Sequence, residues 1–368
     1  MRLRELHDDD YEGTAAVLVR NGLRRPSREQ WDYLSRGMPH DGELAGIARG
    51  WVLDDGSGEI VGAFRNIPFL YEWNGRPVRV AVASAWAVDG SHRHQSLSLA
   101  TAYFKQTSVD VLLNTTAVAS TSGKAFLAFR AEHVPQPSYT SRMLWITGYK
   151  GFTANLIRQR RIPGASMLQY PAACGVWMAD VLRGGGRRGS HDQLRRTDRF
   201  DERFDACWAA LRQRANRLQA VRNAATLAWR FALEAQRPTV IVLERDDRLL
   251  GYIVLVRRDQ SGLRRLEVAD LQAVNDDGES MRALMSGALR SAAQDGIHVV
   301  ALSGCGGVTR RALIALKPHV KTVPGWPLYY KVLDPSLKEP LRAESAWDLS
   351  LYDGDSLWSG VFEDGAAA

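Results

Sequence analysis

The sequence predicts an α+β protein made of two similar halves, each a mixed central sheet flanked by helices. Three observations carry that expectation. The order hairpin, long strand, loop, helix, strand occurs twice, once over residues 51–113 and again over 239–302. Gly58-Glu59-Ile60-Val61-Gly62 in the first pass corresponds to Arg248-Leu249-Leu250-Gly251-Tyr252 in the second. Between the two lies Arg183-Gly184-Gly185-Gly186-Arg187-Arg188-Gly189, whose glycines give freedom and whose arginines keep it solvated. It reads as a linker; no aromatics interleave it as a nucleic-acid-binding patch would need. The expected organisation is a first domain over 1–165, a connecting segment over 166–199 and a second domain over 200–368.

The first half opens with helical spacing of Tyr11, Ala15, Val17, Leu18 and Leu23. Ser27 is an N-cap candidate for a second helix, with Gln30 three residues on. Trp51-Val52-Leu53 and Ile60-Val61-Gly62-Ala63-Phe64 read as strands around the turn at 54–58. Asn74-Gly75 marks a hairpin between Phe69-Leu70-Tyr71 and a long strand running from Val78 to Val88. A helix over about 95–108, a buried strand at Val109 to Leu113 and a helix over about 122–131 follow. The strand–helix–strand at the centre pairs as a parallel crossover.

In the second half, Phe200, Phe204, Trp208, Leu211, Leu218 and Val221 are read as one face of a long helix. Trp229-Arg230-Phe231 reads as packing with a snorkelling arginine at the domain junction. Strands follow at Thr239 to Glu244, Leu249 to Leu255 and Leu266 to Val274, then a helix over about 279–294 and a strand at Ile297 to Leu302.

Composition narrows the class. With 45% hydrophobic and 24% charged residues, the chain of 368 residues is ordinary globular protein, long enough for two cores. No apolar run reaches the ~18 residues a membrane span needs. The N-terminus turns acidic at Asp8-Asp9-Asp10, where an export signal would be apolar, so a cytoplasmic location is expected. Cys174, Cys207 and Cys305 are odd in number and far apart, which fits buried free thiols rather than a disulfide or metal framework. The net charge of +7, mostly arginine, suits an anionic ligand but equally a GC-rich genome.

Chemistry is sought at the loop after the long first-half strand, Asp89-Gly90-Ser91-His92-Arg93-His94-Gln95-Ser96-Leu97-Ser98. A helix N-terminus presents unpaired N–H groups to a pyrophosphate, small residues allow close approach, and Arg93 adds a guanidinium. Capping of the helix by Ser96 or Ser98 is the competing reading. The order of elements, over most of the chain, resembles the GNAT N-acetyltransferase fold, whose cofactor loop reads Arg/Gln-x-x-Gly-x-Gly/Ala. The match here is Arg93-His94-Gln95-Ser96-Leu97-Ser98, with serine in place of both glycines.

The resemblance implies a bacterial acyltransferase using acetyl-CoA or another acyl-CoA, no metal, and an amine or sugar-amine acceptor. It implies that Trp86 and Val88 flank the pantetheine arm and that Asn114 turns towards the cofactor. It asks for a base and an acid, for which Ser84, Glu267, Asp270 and Tyr139 are the candidates, one of the two carboxylates facing a shared cleft. The corresponding second-half loop, Asn275-Asp276-Asp277-Gly278, is acidic and would repel a pyrophosphate, so the first half is expected to hold the cofactor. Two alternatives stay open: an aminoacyl-tRNA-dependent transferase of similar tandem architecture, the one reading with a nucleic-acid partner, and a non-catalytic regulator that binds a metabolite or protein. A monomer and a homodimer are equally compatible with the duplication.

Overall fold

Both halves build sheets, yet each sheet is completed by a strand from the other half. The computed structural model describes residues 1–35, 37–115, 121–159, 194–233, 238–322 and 328–359. The first half contributes β1 (Arg2–Glu5), α1 (Tyr11–Arg20), α2 (Arg28–Ser35), β2 (Gly50–Asp54), β3 (Ile60–Trp73), β4 (Arg76–Val88), α3 (Ser96–Lys105), β5 (Val111–Asn114), α4 (Thr121–Ala128), β6 (Glu132–His133), β7 (Ser141–Ile146) and α5 (Tyr149–Gln159). The second half contributes β8 (Leu194–Thr197), α6 (Glu202–Leu211), β9 (Leu218–Ala220), α7 (Ala224–Arg230), β10 (Thr239–Arg245), β11 (Arg248–Arg257), β12 (Arg265–Ala273), α8 (Gly278–Gln294), β13 (Val299–Ser303), α9 (Gly307–Ile314), β14 (His319–Thr322) and β15 (Tyr329–Val332).

The first sheet runs β1-β2-β3-β4-β5-β15-β6, with β9 added on β3; the second runs β14-β7-β13-β12-β11-β10-β8. Strand β7 enters the second sheet between β13 and β14, antiparallel to both. Strand β15 enters the first sheet between β5 and β6, again antiparallel to both. This exchange of strands is absent from the sequence reading. It makes each half a structural part of the other.

Local chemistry accounts for the elements. Asn74 and Gly75 hold φ of 52° and 77°, the left-handed pair that a two-residue hairpin of matching twist requires. Asp246 and Asp247 repeat the device between β10 and β11, at 51° and 58°. The Gln30 N–H donates to Ser27 Oγ at 3.0 Å, the cap expected for α2. Strands β4 and β5 pair in parallel through the α3 crossover, as do β12 and β13 through α8. The expected long helix over Phe200 to Val221 is instead α6, which ends at Leu211, followed by a turn with Asn216 at φ 56° and by β9 on the edge of β3. Arg214 and Arg217 in that turn are drawn to Asp276, which draws the chain away from a continuous helix.

A single apolar core runs from Phe64 and Val80 through Trp229 and Trp358 to Tyr252 and Val254, so the two sheets share one interior. A second core, with Leu255, Leu284, Leu289 and Val300, packs α8 against the second sheet. Cys207 and Cys305 are buried free thiols, both pushed up to about 12 by burial; Cys174 and the Gly/Arg-rich stretch lie outside the described residues. Among the described residues, no helix is long and apolar enough to cross a membrane.

After β15 the chain returns as a tail, residues 333–359, laid across both sheets. Two buried arginines hold it. Arg222 donates to Asp270 of β12 at 2.9 Å and to Asp353 of the tail at 3.0 Å. Burial would lower its pKa, but the two carboxylates prevail and raise it well above the usual value. Arg230 donates to the carbonyls of Gly354 and Leu351, and its guanidinium lies 3.7 Å from the Trp358 ring centroid. It is fully buried and does not snorkel, because the tail covers the face through which it would reach water.

Replacing Arg222 with Met leaves two buried carboxylates uncompensated, which should lower the unfolding free energy by about 3–5 kcal/mol. Burial already holds Asp353 above the ordinary carboxyl value, and loss of the guanidinium raises it further. A carboxyl with a raised folded-state pKa costs nothing below its unfolded value, about 4, and most above its folded value. The deficit in urea unfolding should therefore be larger at about pH 8 than at about pH 5.5. Equal deficits at both pH values would refute the electrostatic account.

Candidate functional site

The functional geometry begins where β4 parts from β5. The two pair only over Val80–Val82 and Val111–Leu113. On the other side of β4 the register with β3 slips: Trp86 faces Phe64 and Ala83 faces Asn66, so Ser84 and Ala85 stand opposite Arg65 alone. An extra residue in one strand bends it and increases its twist. The bend carries β4 away from β5 and opens a wedge, a cavity of about 220 Å³.

Its walls come from five places. Ala83 to Trp86 line it from β4, and Phe64 and Arg65 from β3. Asn114, Ser122 and Phe126 close the β5 side, while Leu23 to Pro26 come from the connection between α1 and α2. The tail supplies Asp355 and Trp358. Gln30 of α2 donates to the Trp358 carbonyl at 3.2 Å, fastening the tail to the rim.

Two opposite charges are buried in this wall. Asp355 is 1% exposed and accepts from Thr115 Oγ1 at 3.4 Å. Arg65 is 8% exposed, with its guanidinium 4.5 Å from the ring centroid of Trp31. Burial lowers the Arg65 pKa to about 10, and the field of Asp355 offsets part of that cost. The Arg65 Nε and the indole Nε1 of Trp86 are buried without a hydrogen-bond partner.

Of the residues singled out by sequence, Ser84, Trp86 and Asn114 meet at this wedge. Val88, buried at the end of β4 opposite Gly62, lies beyond the lining. The segment Gly90–Gln95 is wound into a 3-10 helix that runs straight into α3. Its winding turns amides back along the chain: His92 N–H donates to the Asp89 carbonyl and Ser96 N–H to that of Arg93. Arg93 and His94 point to solvent, and Leu97 is exposed. Neither Ser96 nor Ser98 caps α3; Gln95 occupies the cap position, and Ser98 Oγ donates to its side chain at 3.2 Å.

The remaining candidates stand apart from the cavity. Tyr139 sits half-buried in the 3-10 turn before β7, packed on the shared core. Glu267 is fully buried, accepting from Ser303 Oγ at 2.5 Å with Arg265 at 3.6 Å. Asp270 accepts from Arg222, from Tyr252 Oη at 2.8 Å and from Gln272 at 3.0 Å. Neither carboxylate lines the wedge, because both are buried in β12 of the second sheet. Asp355, Trp358 and Arg65 were not singled out by sequence. A lone arginine inside the apolar run Ile60 to Leu70 was the available signal for Arg65; the two tail residues carried none.

The second half repeats the geometry and then fills it. Strands β12 and β13 pair over Arg265–Glu267 and Val299–Ala301, and a slip at Val254/Leu255 bends β12 at Ala269. The tail occupies that opening. Asp348 accepts from the Gly306 N–H at 2.8 Å, and Ser350 Oγ donates to Asp270 at 3.4 Å. At the N-terminus of α8, Asp277 accepts from the N–H groups of Glu279 and Ser280 at 3.1 and 3.0 Å. The protein's own carboxylate takes the place where an anion would sit.

No protein-family model and no curated protein sequence matches the chain. Solved structures do. A GCN5-related N-acetyltransferase from Kribbella flavida superposes with a TM-score of 0.56 at 17% identity, covering 90% of this chain and 71% of that one. A probable N-acyltransferase from Enterococcus faecalis V583 gives 0.57 at 9% identity, covering 90% and 72%. A GCN5-related N-acetyltransferase from Anabaena variabilis ATCC 29413 gives 0.56 at 11%, also covering 90% and 72%. Identities this low transfer no reaction or substrate; the likeness is one of fold. Over 90% of its length the chain has the fold of the GCN5-related N-acetyltransferases.

Proposed function

We propose that the chain is an N-acyltransferase that moves an acyl group from an acyl-CoA to an amine in the first-half wedge. One observation carries the reading: the bend at Ser84 and Ala85 opens β4 from β5 beside a buried carboxylate, while the matching opening in the second half is filled. Beyond Val82 the edge of β4 that faces β5 has no strand partner among the described residues. Backbone groups there suit the amides of an extended pantetheine arm. The surface position of Arg93 suits a phosphate of the same donor.

When bound, the donor supplies an activated thioester carbonyl. Asp355 is placed to take a proton from the acceptor's ammonium group, which frees the nitrogen lone pair. The N–C bond then forms as the C–S bond breaks. The nitrogen loses its second proton, the thiolate takes one up, and one proton is released overall. Ser84 and Asn114 are two of the wall's uncharged polar groups and orient the reacting carbonyl, and Phe64, Trp86, Phe126 and Trp358 exclude water from it. The 3-10 winding of Gly90–Gln95 favours one second reading, a non-catalytic binding protein, because it spends amides a pyrophosphate would use.

Calorimetric titration with acetyl-CoA decides between them. Micromolar binding is expected, weakened about tenfold or more in Arg93→Ala and unchanged in Asp277→Ala, which alters only the second-half cap. Failure to bind acetyl-CoA would sink the transferase reading. With any accepted amine, Asp355→Asn should lower kcat by about 10²- to 10⁴-fold and remove the acidic limb of its pH profile, at an unchanged melting temperature. Retention of that limb in the variant would take the proton-accepting role from Asp355.

A further inference from the structure

Arg65 has no role in the transfer chemistry, and its environment asks for one. Among the described residues its guanidinium makes no hydrogen bond or ion pair; its contacts are the Trp31 face and the field of Asp355. Burying a cation is costly unless its donors are satisfied, and an arginine left in this way in a cavity wall favours an anion in the cavity. The other two buried arginines of the tail region show the contrast. Arg222 is saturated by two carboxylates, and Arg230 directs Nη2 to two carbonyls and lies over an indole.

From this we infer that the acceptor is a small amine bearing a carboxylate, of the α-amino-acid class, with its carboxylate on Arg65 and its ammonium group at Asp355. This rests on the acyl-transfer reading of the same wedge. Arg65 and Asp355 line one cavity, whose lining also includes Arg24 and Arg25, and no ion pair joins the two among the described residues, so a zwitterion spans from one to the other. The planar guanidinium, held against Trp31, matches a carboxylate in two-point geometry. Size argues the same way. About 220 Å³ must take the acyl end of the donor as well as the acceptor, which is below the ~300–1,000 Å³ of typical ligand pockets. The aromatic walls, Phe64, Trp86, Phe126 and Trp358, favour an apolar side chain on that amino acid.

The test needs no donor, so it stands whether or not acyl transfer is found. Quenching of the fluorescence of Trp86 and Trp358 would be followed on titration with L-phenylalanine, L-phenylalaninamide and O-phosphoethanolamine. The acid should bind at least about tenfold more tightly than the amide, and Arg65→Gln should erase that difference while leaving the amide's affinity unchanged. Arg65→Lys should restore part of it, which separates loss of charge from loss of fold. Equal binding of acid and amide by the unaltered protein, or saturable binding of neither, would overturn the inference. Preference for the phosphate compound by about tenfold or more would overturn the carboxylate assignment. Acetyl-CoA binding with turnover of amides but not of acids would refute this inference alone and leave the transferase reading standing.

Discussion

The arrangement depends on one guanidinium, that of Arg222, shared between a strand of the second sheet and the tail that crosses to the first. Its two partners lie far apart in the second half: Asp270 in the bent strand β12 and Asp353 in the tail. Tyr252 and Ser350 complete the shell of Asp270, and Tyr352 donates to the carbonyl of Val221 just before the arginine. A charge buried this deeply is tolerated only when its geometry is satisfied, so the cluster fixes where the tail can lie. Everything downstream of Asp353 inherits that placement, including Asp355 and Trp358 in the first-half cavity.

The same bend serves the two halves differently. A bent strand leaves its backbone edge without a neighbour, and buried N–H and C=O groups must pair with something. In the second half the tail fills the opening and Asp277 caps the helix that follows. In the first half the tail reaches only the far wall, and the opening persists. The exchange of β7 and β15 explains why the second copy stays necessary after its own opening is filled: it supplies a strand to the first sheet and the anchor for the tail.

Local signals were legible because local physics sets them. Asn74-Gly75, Ser27 with Gln30, and the parallel crossovers through α3 and α8 follow from turn chemistry, capping and chain reach, and each is present in the structure. Partner choice was not legible. Arg142 to Trp145 and Tyr329 to Lys331 have strand-compatible residues, but nothing in either segment says that it joins the other half's sheet. The site divided in the same way. Ser84, Trp86 and Asn114 follow from their place on the bent strand and its neighbour. Glu267 and Asp270 drew attention as carboxylates in an apolar strand, a pattern shared by reactive acids and acids buried against arginine; only the positions of Ser303 and Arg222 separate the two. Asp355 comes from a tail with no periodic pattern, so only its fold-back shows it.

That division bears on what the second half is for. If it were only a degenerate copy, its bent strand and helix N-terminus would be residues of an old site, and their carboxylates would be liabilities in a buried sheet. The contacts argue otherwise. Asp270 holds Arg222, Asp276 holds Arg214 and Arg217 in the turn before β9, and Asp277 caps α8. Asp270 fastens the tail through Arg222, and Asp276, one of the acids of the second loop, fastens the turn before the β9 edge that braces the first sheet. A single distribution of charge thus fastens the tail that completes the first-half cavity and sets acids in the second-half loop.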